Sequence, residues 1–349
     1  MIKIVSVIGS RPQIIKSAWL SYTIKKFYKK KINEVVIDTN QHYDENLNIL
    51  FQEKLIKYKP NYILKTRSNK FNLSEKILKI EKILKKEKPS RVIVIGDTKS
   101  TLAGAIAAKN LGIYLIHLES GLRSNDNEML EENIRIITDH LSDELHTPYN
   151  FSKLNLVNEG IKSPIFVDGD ILTDIFFFLE KKIKAKRDKK KIYFTCHRNE
   201  ILNNRKKFRS ILEGISKLSN KFNVIFPIHP NTKKKIVSYK LKNYLNNTKV
   251  IKPLNYLDSI KLLKSCNLVI TDSGGLQRES ALLGLPCLVI RDETEWSNLK
   301  NVSLIGNDKF ELIKLTHRNI GKIYKKNKVN LNVTKKIISN MILNTNEKV

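Results

Sequence analysis

The chain is short of cysteine, of acidic residues and of long apolar runs, and each shortage excludes something. Among its 349 residues are three cysteines, Cys196, Cys266 and Cys287, far apart and without CxxC spacing. That excludes a disulfide framework. Each thiol sits in or beside an apolar run, so buried free cysteines in a reducing compartment are expected. No apolar run approaches the length of a membrane span, and the greasiest stretch, 175–179, is flanked by Asp174 and Glu180. The first eight residues read as a strand, not as a secretory leader. A cytoplasmic protein with no membrane partner is expected. No His/Cys/Asp/Glu cluster has metal-ligand spacing, so neither a metal nor another cofactor is expected.

Acids number 34 against 64 Lys+Arg, for a formal charge of +30. Such an excess invites a nucleic-acid partner. The lysines, however, are spread along the whole chain, as at Lys25-Lys26, Lys85-Lys86 and Lys233-Lys234-Lys235. No helix-turn-helix, zinc finger or aromatic-basic RNA signature accompanies them, so no nucleic-acid partner is expected. The charge instead favours anionic small molecules and raises their local concentration.

What is present is a regular alternation. Short Val/Ile-rich runs at 2–8, 34–39, 91–95, 114–118, 144–147 and 165–168 are separated by amphipathic helical patterns such as 74–86. A second series follows at 191–195, 223–228, 249–252, 268–271 and 287–290, with a helical pattern at 205–218. Continuous apolar strands separated by helices mean parallel sheets covered on both faces. At this length two domains are the default. The fold class expected is α/β with two Rossmann-like domains facing a cleft. The first spans 1–168 and the second 169–332, joined through a lysine-rich hinge at 181–191. A last helix, within 333–349, has no strand after it and is expected to pack back on the first domain.

Several acids fall where such a fold binds ligands, beyond the carboxyl ends of strands. Glu119 ends the run 113–118, and Arg123, Glu131, Glu132 and Arg135 follow closely. Acids with arginines there point either to proton transfer on an anionic substrate or to a surface salt-bridge network. Asp97, in Gly96-Asp97-Thr98, is either a helix cap or a second acid. Gly9-Ser10-Arg11-Pro12-Gln13 opens a helix whose first amides, with Arg11, would accept a phosphate. Thr271-Asp272-Ser273-Gly274-Gly275 does the same in the second series, with Glu279 placed to accept from ribose hydroxyls; the plainer reading is an N-cap. His197 and His229 each end a strand of the second series, and His42 follows the exit of the second strand, where an imidazole can exchange protons near neutral pH. His140, His146 and His317 have no such placement and read as structural.

Taken in order, the blocks GSRPQIIK (9–16), TNQHYD (39–44), GDTKSTLAGAIAA (96–108), HLESGLRS (117–124), EENIR (131–135), CHR (196–198), IHPN (228–231), PLNYLD (253–258) and the run from TDSGG (271–275) to Trp296 resemble the non-hydrolysing UDP-N-acetylglucosamine 2-epimerase family. They cover nearly the whole chain. The resemblance implies the glycosyltransferase-B architecture, a homodimer, a UDP-sugar substrate, and epimerisation at C2 by loss and re-addition of UDP through a 2-acetamidoglucal, in the supply of surface polysaccharide precursors. It implies Asp97, Glu119 and Glu131 as acid/base groups, Arg135 as their support, and His197 near the leaving group. Arg11, His229, Ser273, Gly274, Gly275 and Glu279 would hold UDP, and Gln41 and His42 would add sugar-nucleotide contacts. Asp44 stands where a glutamine is usual in that segment, which argues against a second, activating UDP-sugar there. Gln13, in place of a common glutamate, and the Glu293-Thr294-Glu295-Trp296 run resemble the branch acting on UDP-2,3-diacetamido-2,3-dideoxyglucuronate. A glycosyltransferase of the same architecture is the third reading, though it has no need of three acids in the first domain.

Overall fold

The structure is a computed structural model that describes residues 1–41, 58–64, 71–124, 128–294, 296, 299–325 and 332–346. The strands are β1 (Ile2–Ile8), β2 (Ile32–Asp38), β3 (Tyr62–Ile63), β4 (Arg91–Ile95), β5 (Tyr114–Leu118), β6 (Glu144–Thr147), β7 (Ile165–Val167), β8 (Lys191–Phe194), β9 (Asn223–Pro227), β10 (Lys249–Ile251), β11 (Leu268–Thr271), β12 (Cys287–Val289) and β13 (Val302–Leu304). The helices are α1 (Arg11–Thr23), α2 (Leu73–Glu87), α3 (Lys99–Asn110), α4 (Leu130–Leu141), α5 (Asn150–Asn158), α6 (Ile171–Glu180), α7 (Asn199–Leu202), α8 (Arg205–Ser219), α9 (Pro230–Ser238), α10 (Tyr256–Ser265), α11 (Gly274–Leu282), α12 (Lys309–Asn319) and α13 (Val333–Asn346). They form two compact units, residues 1–175 with 330–349, and residues 176–329.

Each unit is one parallel sheet with helical crossovers. The first has strand order β3-β2-β1-β4-β5-β6-β7, and the second β10-β9-β8-β11-β12-β13. In both, the order reverses beside the first strand, β1 in one unit and β8 in the other, so the β1/β4 and β8/β11 borders are the switch points where such sheets bind ligands. Two strands, β3 and β13, were not foreseen. β3 has two residues, too few to show a period, and β13 is a sheet edge whose residues are half-buried or exposed, so neither carries a strong apolar signal.

The helices form where the pattern requires. In α8, Phe208, Ile211, Leu212, Ile215 and Leu218 recur at helical spacing and are all buried on the second sheet. At about 2 kcal/mol per buried side chain, that face far outweighs the propensity terms of the helix. Asn204 starts it by accepting from the Lys207 amide. In α2, Ile80 and Leu84 play the same part, and Asn72 is the cap.

Helix α13 belongs to the first unit and is tied there by polar groups. Asp174 accepts from the amides of Asn332 (2.9 Å), Val333 (3.2 Å) and Thr334 (2.8 Å), capping its start. Arg91 donates to the Met341 carbonyl at 2.9 Å, Asn344 to Glu144 at 2.7 Å, and Asn340 to Asp168 at 2.8 Å. His146 joins these acids from beneath, with Nε2 2.7 Å from Glu144 Oε1 and Nδ1 2.5 Å from Asp168 Oδ2. Both ring nitrogens therefore face carboxylates. Burial would lower the His146 pKa, but the two acids prevail and raise it above its ordinary value of 6.5. Burial likewise would raise Glu144, yet His146, Asn344 and Arg91 hold it below the ordinary 4.5.

The pH dependence of stability follows from those directions. A raised imidazole stabilises fully below about pH 6.5, and that stabilisation is lost as pH rises through the folded-state pKa. The depressed Glu144 acts in the opposite sense, losing its contribution as pH falls below about 4.5. Urea unfolding of the wild type is expected to weaken more steeply from pH about 6.5 upward than that of His146→Gln. Equal slopes would show that His146 is not held as a cation.

Candidate active site

Three turns at the carboxyl ends of β1, β4 and β5 assemble the first unit's polar centre. Gln13 bolts the first two together. Its Oε1 accepts from the amides of Gly9 (2.9 Å) and Ser10 (3.0 Å), and its Nε2 donates to Ile95 O (2.6 Å) and to the hydroxyls of Thr98 and Thr101 (both 2.8 Å). The side chain is thus a buried brace in which the amide's donor and acceptor ends are both used.

Asp97 is not a helix cap. Thr98 caps α3, its hydroxyl accepting from the Thr101 amide. Gly96 turns the chain at φ +66°, and Asp97, 32 % exposed at its side chain, pairs with Arg135 Nη2. The other arm of the buried Arg135 reaches Glu132 Oε2 at 2.8 Å. Glu132, also buried, accepts from the Ser124 amide at 2.9 and 3.0 Å and from its hydroxyl at 3.1 Å. One arginine therefore joins the β4 turn, α4 and the 121–124 loop. Glu131, one residue away on the first turn of α4, is exposed.

Glu119 adopts φ +66°, a left-handed conformation that costs a non-glycine residue about 1–2 kcal/mol. Its carboxylate pairs with Lys16 of α1, and both side chains are nearly buried. Together they line a small pocket with His146, Pro148 and Asp170. Behind this turn lies His117, with Nδ1 2.7 Å from Asp139 and Nε2 2.8 Å from the Gly96 carbonyl. Asp139 also accepts from the Gly121 amide at 3.1 Å and pairs with Arg123 at 2.8 Å. Burial works to raise its carboxyl, but His117 and Arg123 hold it below the ordinary carboxylate value. Arg123 thus serves Asp139 and Glu159 rather than Glu119 or Glu131.

In the second unit the polar groups gather at the β8/β11 switch point. Ser273 caps α11 through the Leu276 amide, and Gly274 and Gly275 are its first two residues. Gly275 has an ordinary φ, and a Cβ built on it would meet nothing nearer than Ser273 Oγ at 3.9 Å. Its lack of a side chain thus leaves open space over the helix start, where amides point outward. Glu279 lies one turn in and is buried. His229 caps α9, its Nδ1 accepting from the Asn231 amide at 3.2 Å. His197 follows β8; its ring centroid is 6.1 Å from that of His229, and its side chain is 42 % exposed.

The structure therefore brings Asp97 and Arg135 together, places Glu119 on the adjacent strand end, and groups His197 and His229. Gln41 Oε1 accepts from the Ser100 amide (3.0 Å) and hydroxyl (2.7 Å), at the start of α3. Arg11 is the first residue of α1, and its side chain is not among those described. His42 and Asp44 lie outside the described residues. Nothing in the sequence pattern singles out Lys16, His117 or Asp139 for the parts they play here. Only Glu132 left a usable signal, the i,i+3 spacing to Arg135 that matches a helical ion pair.

Two parallel α/β units, one with cation-paired carboxylates at its switch point and the other with a glycine-started helix and two histidines at its own, define a two-domain Rossmann-like protein. The chain belongs to the UDP-N-acetylglucosamine 2-epimerase family, whose profile it matches over residues 25–333. It is 41 % identical over 310 residues to a UDP-N-acetylglucosamine 2-epimerase homolog of Methanococcus maripaludis, covering 84 % of this chain and 85 % of that one. It is 36 % identical over 333 residues to the UDP-2,3-diacetamido-2,3-dideoxy-D-glucuronate 2-epimerase of Pseudomonas aeruginosa, covering 92 % and 93 %. The crystal structure of Methanocaldococcus jannaschii UDP-GlcNAc 2-epimerase in complex with UDP-GlcNAc and UDP is similar with a TM-score of 0.85 and 32 % identity, over 98 % of this chain and all of that one.

Replacing Arg135 with lysine leaves one ammonium where two acids were held by a planar fork. Arg135→Lys is expected to lower stability by about 1–3 kcal/mol, seen as a lower urea midpoint with unchanged slope. An unchanged midpoint would show that the bridge does not hold the turns together.

Proposed function

We propose that the chain is a UDP-sugar 2-epimerase that interconverts UDP-GlcNAc and UDP-ManNAc. The observation that carries this reading is the pairing of Asp97 with Arg135 and of Glu119 with Lys16 at adjacent strand ends of the first switch point, in a member of this family. Two carboxylates beside one bound sugar are what inversion at a carbon needs, since a proton leaves one face and returns to the other.

In the proposed cycle a carboxylate takes the C2 proton. The C2–H electron pair forms the C1=C2 bond of a 2-acetamidoglucal, and the C1–O bond breaks with its pair leaving on UDP. Protonation of C2 from the opposite face and re-addition of UDP at C1 complete the epimerisation. Asp97, Glu119 and the exposed Glu131 are the proton-transfer candidates, with Arg135 positioning Asp97. Lys16 adds a cation beside Glu119. His197, His229, Ser273 and the outward amides of Gly274 and Gly275 are proposed to hold the diphosphate, where fixed donors stabilise the charge that develops on departure. Arg11, Gln41, His42 and Glu279 remain proposed contacts to the nucleotide sugar. A homodimer working in the cytoplasm to supply surface polysaccharide precursors accords with the family resemblance. Among the described residues no helix is long and apolar enough to cross a membrane.

A second reading keeps the reaction and changes the sugar to the 2,3-diacetamido-uronate. It draws on the Pseudomonas aeruginosa relative and on Gln13, whose Nε2 donates to a carbonyl and so does a job an ionised glutamate could not.

Conversion of UDP-GlcNAc to its manno epimer, followed through the anomeric proton signals, tests the assignment of roles. Glu119→Gln and Asp97→Asn are each expected to lower kcat by about 10²–10⁴-fold while UDP affinity stays within about threefold. Turnover by both variants at the wild-type rate would remove these carboxylates from the mechanism.

A further inference from the structure

The second unit contains a buried acid to which the proposed chemistry gives no task. Asp272 follows β11 directly, before Ser273, and its side chain is fully buried. Oδ2 accepts from the backbone amides of His197 (2.6 Å) and Arg198 (2.7 Å), which pins the turn after β8 to the turn after β11 across the switch point. Oδ1 is equally buried; among the described residues it has no well-directed hydrogen bond, and the polar atoms beside the carboxylate are His197 Nδ1, 3.2 Å from Oδ1, and the Cys196 thiol. A buried carboxylate oxygen left unpaired is costly, so this oxygen demands a proton on Nδ1. With Nδ1 committed to Asp272, Nε2 is the nitrogen that titrates, on a ring that is 42 % exposed.

The neighbouring ring is arranged in the complementary way. His229 Nδ1 accepts from the Asn231 amide, so in the neutral ring its proton sits on Nε2. With centroids 6.1 Å apart, the two imidazoles offer two Nε2–H groups beside the glycine-started helix α11.

We propose that Asp272 is a positioning residue that fixes the tautomer of His197 and pairs with its charged ring, so that Nε2–H donates a charge-assisted hydrogen bond to the diphosphate of the nucleotide. The ligand in this inference rests on the UDP-sugar reading given above, whereas the tautomer does not. The charged and titratable groups about His197 are Asp272, Arg198 and His229, with Cys196 beside Asp272. Burial and Arg198 oppose the imidazolium, Asp272 favours it, and the balance raises the His197 pKa above 6.5. Asp272 itself is held below the ordinary carboxylate value by His197 and the two amides, against its burial.

The test reads His197 directly in the nucleotide-free protein, by long-range proton–nitrogen correlation on ¹⁵N-histidine-labelled material, with His197→Gln giving the assignment. In the wild type, Nδ1 is expected to stay protonated throughout while Nε2 loses its proton above pH about 6.5. In Asp272→Asn the oxygen still accepts from the two amides, but the amide nitrogen now faces Nδ1. The ring is then expected to carry its proton on Nε2 and to titrate at lower pH. UDP affinity, measured by calorimetry, is expected to fall about tenfold or more in the wild type between pH about 6 and about 9, and to be weaker and nearly flat in the variant. A neutral wild-type ring protonated on Nε2, or the same titration midpoint in both proteins, overturns the proposal. The wild-type titration decides alone if Asp272→Asn does not fold. Absence of UDP binding by the wild type would count against the UDP-sugar reading and leave the tautomer result intact.

Discussion

The bridge made by Arg135 is the interaction on which the first unit's site depends. A parallel sheet brings the carboxyl ends of β4 and β5 side by side, and this chain puts acids at and behind both of them: Asp97, Glu119, Glu132 and Asp139. Two carboxylates about 5 Å apart repel by about 3 kcal/mol at an effective dielectric near 20, enough to splay three short turns. Arg135 offsets this by holding Asp97 with one arm and Glu132 with the other. Glu119 has Lys16, and Asp139 has His117 and Arg123. Asp97, Glu119 and Asp139 are thus each matched to a cation from another segment, Glu132 shares the Arg135 of its own helix, and the matching fixes where the turns lie.

The second unit solves a different problem with different means. Its switch point presents donors rather than acids, namely helix amides, a capping serine and two imidazoles, a set that suits the proposed diphosphate. The buried Asp272 turns inward to the backbone and to His197. The excess of lysine over the chain adds a general attraction for anions, but it is these fixed dipoles that give the attraction a place and a direction.

The sheets were legible because strands buried on both faces must be continuous apolar runs, and helices covering them must show a period near 3.6. β4, β5, β6 and β11 fall at the limits the pattern gives, because each passes abruptly into a polar turn. β3 and β13 lacked that contrast. Of the site, the residues at strand ends were readable: Asp97, Glu119, His197 and Ser273 stand where a buried run stops. Their supports were not. Lys16 lies on α1, Asp139 on α4, and His117 inside β5, and their partners come from other segments, so only the fold makes the pairs. Arg123, one of the two arginines of the acid-rich span, pairs with Asp139 and Glu159, partners that only the fold brings near it. Asp97 as a helix cap is displaced by Thr98, whose position one residue later suits the Thr101 amide.

The proposed reaction removes a proton from carbon 2 of a bound UDP-sugar and returns one to it. Proton NMR of the wild-type protein with UDP-GlcNAc in D2O tests it most directly, because a base that exchanges with solvent must replace that hydrogen by deuterium. The expected result is disappearance of the C2 proton signal together with the growth of a C2-deuterated manno product; if only the diacetamido-uronate behaves so, the sugar changes and the chemistry stands. Retention of the C2 proton in both sugars, with UDP bound, would contradict it.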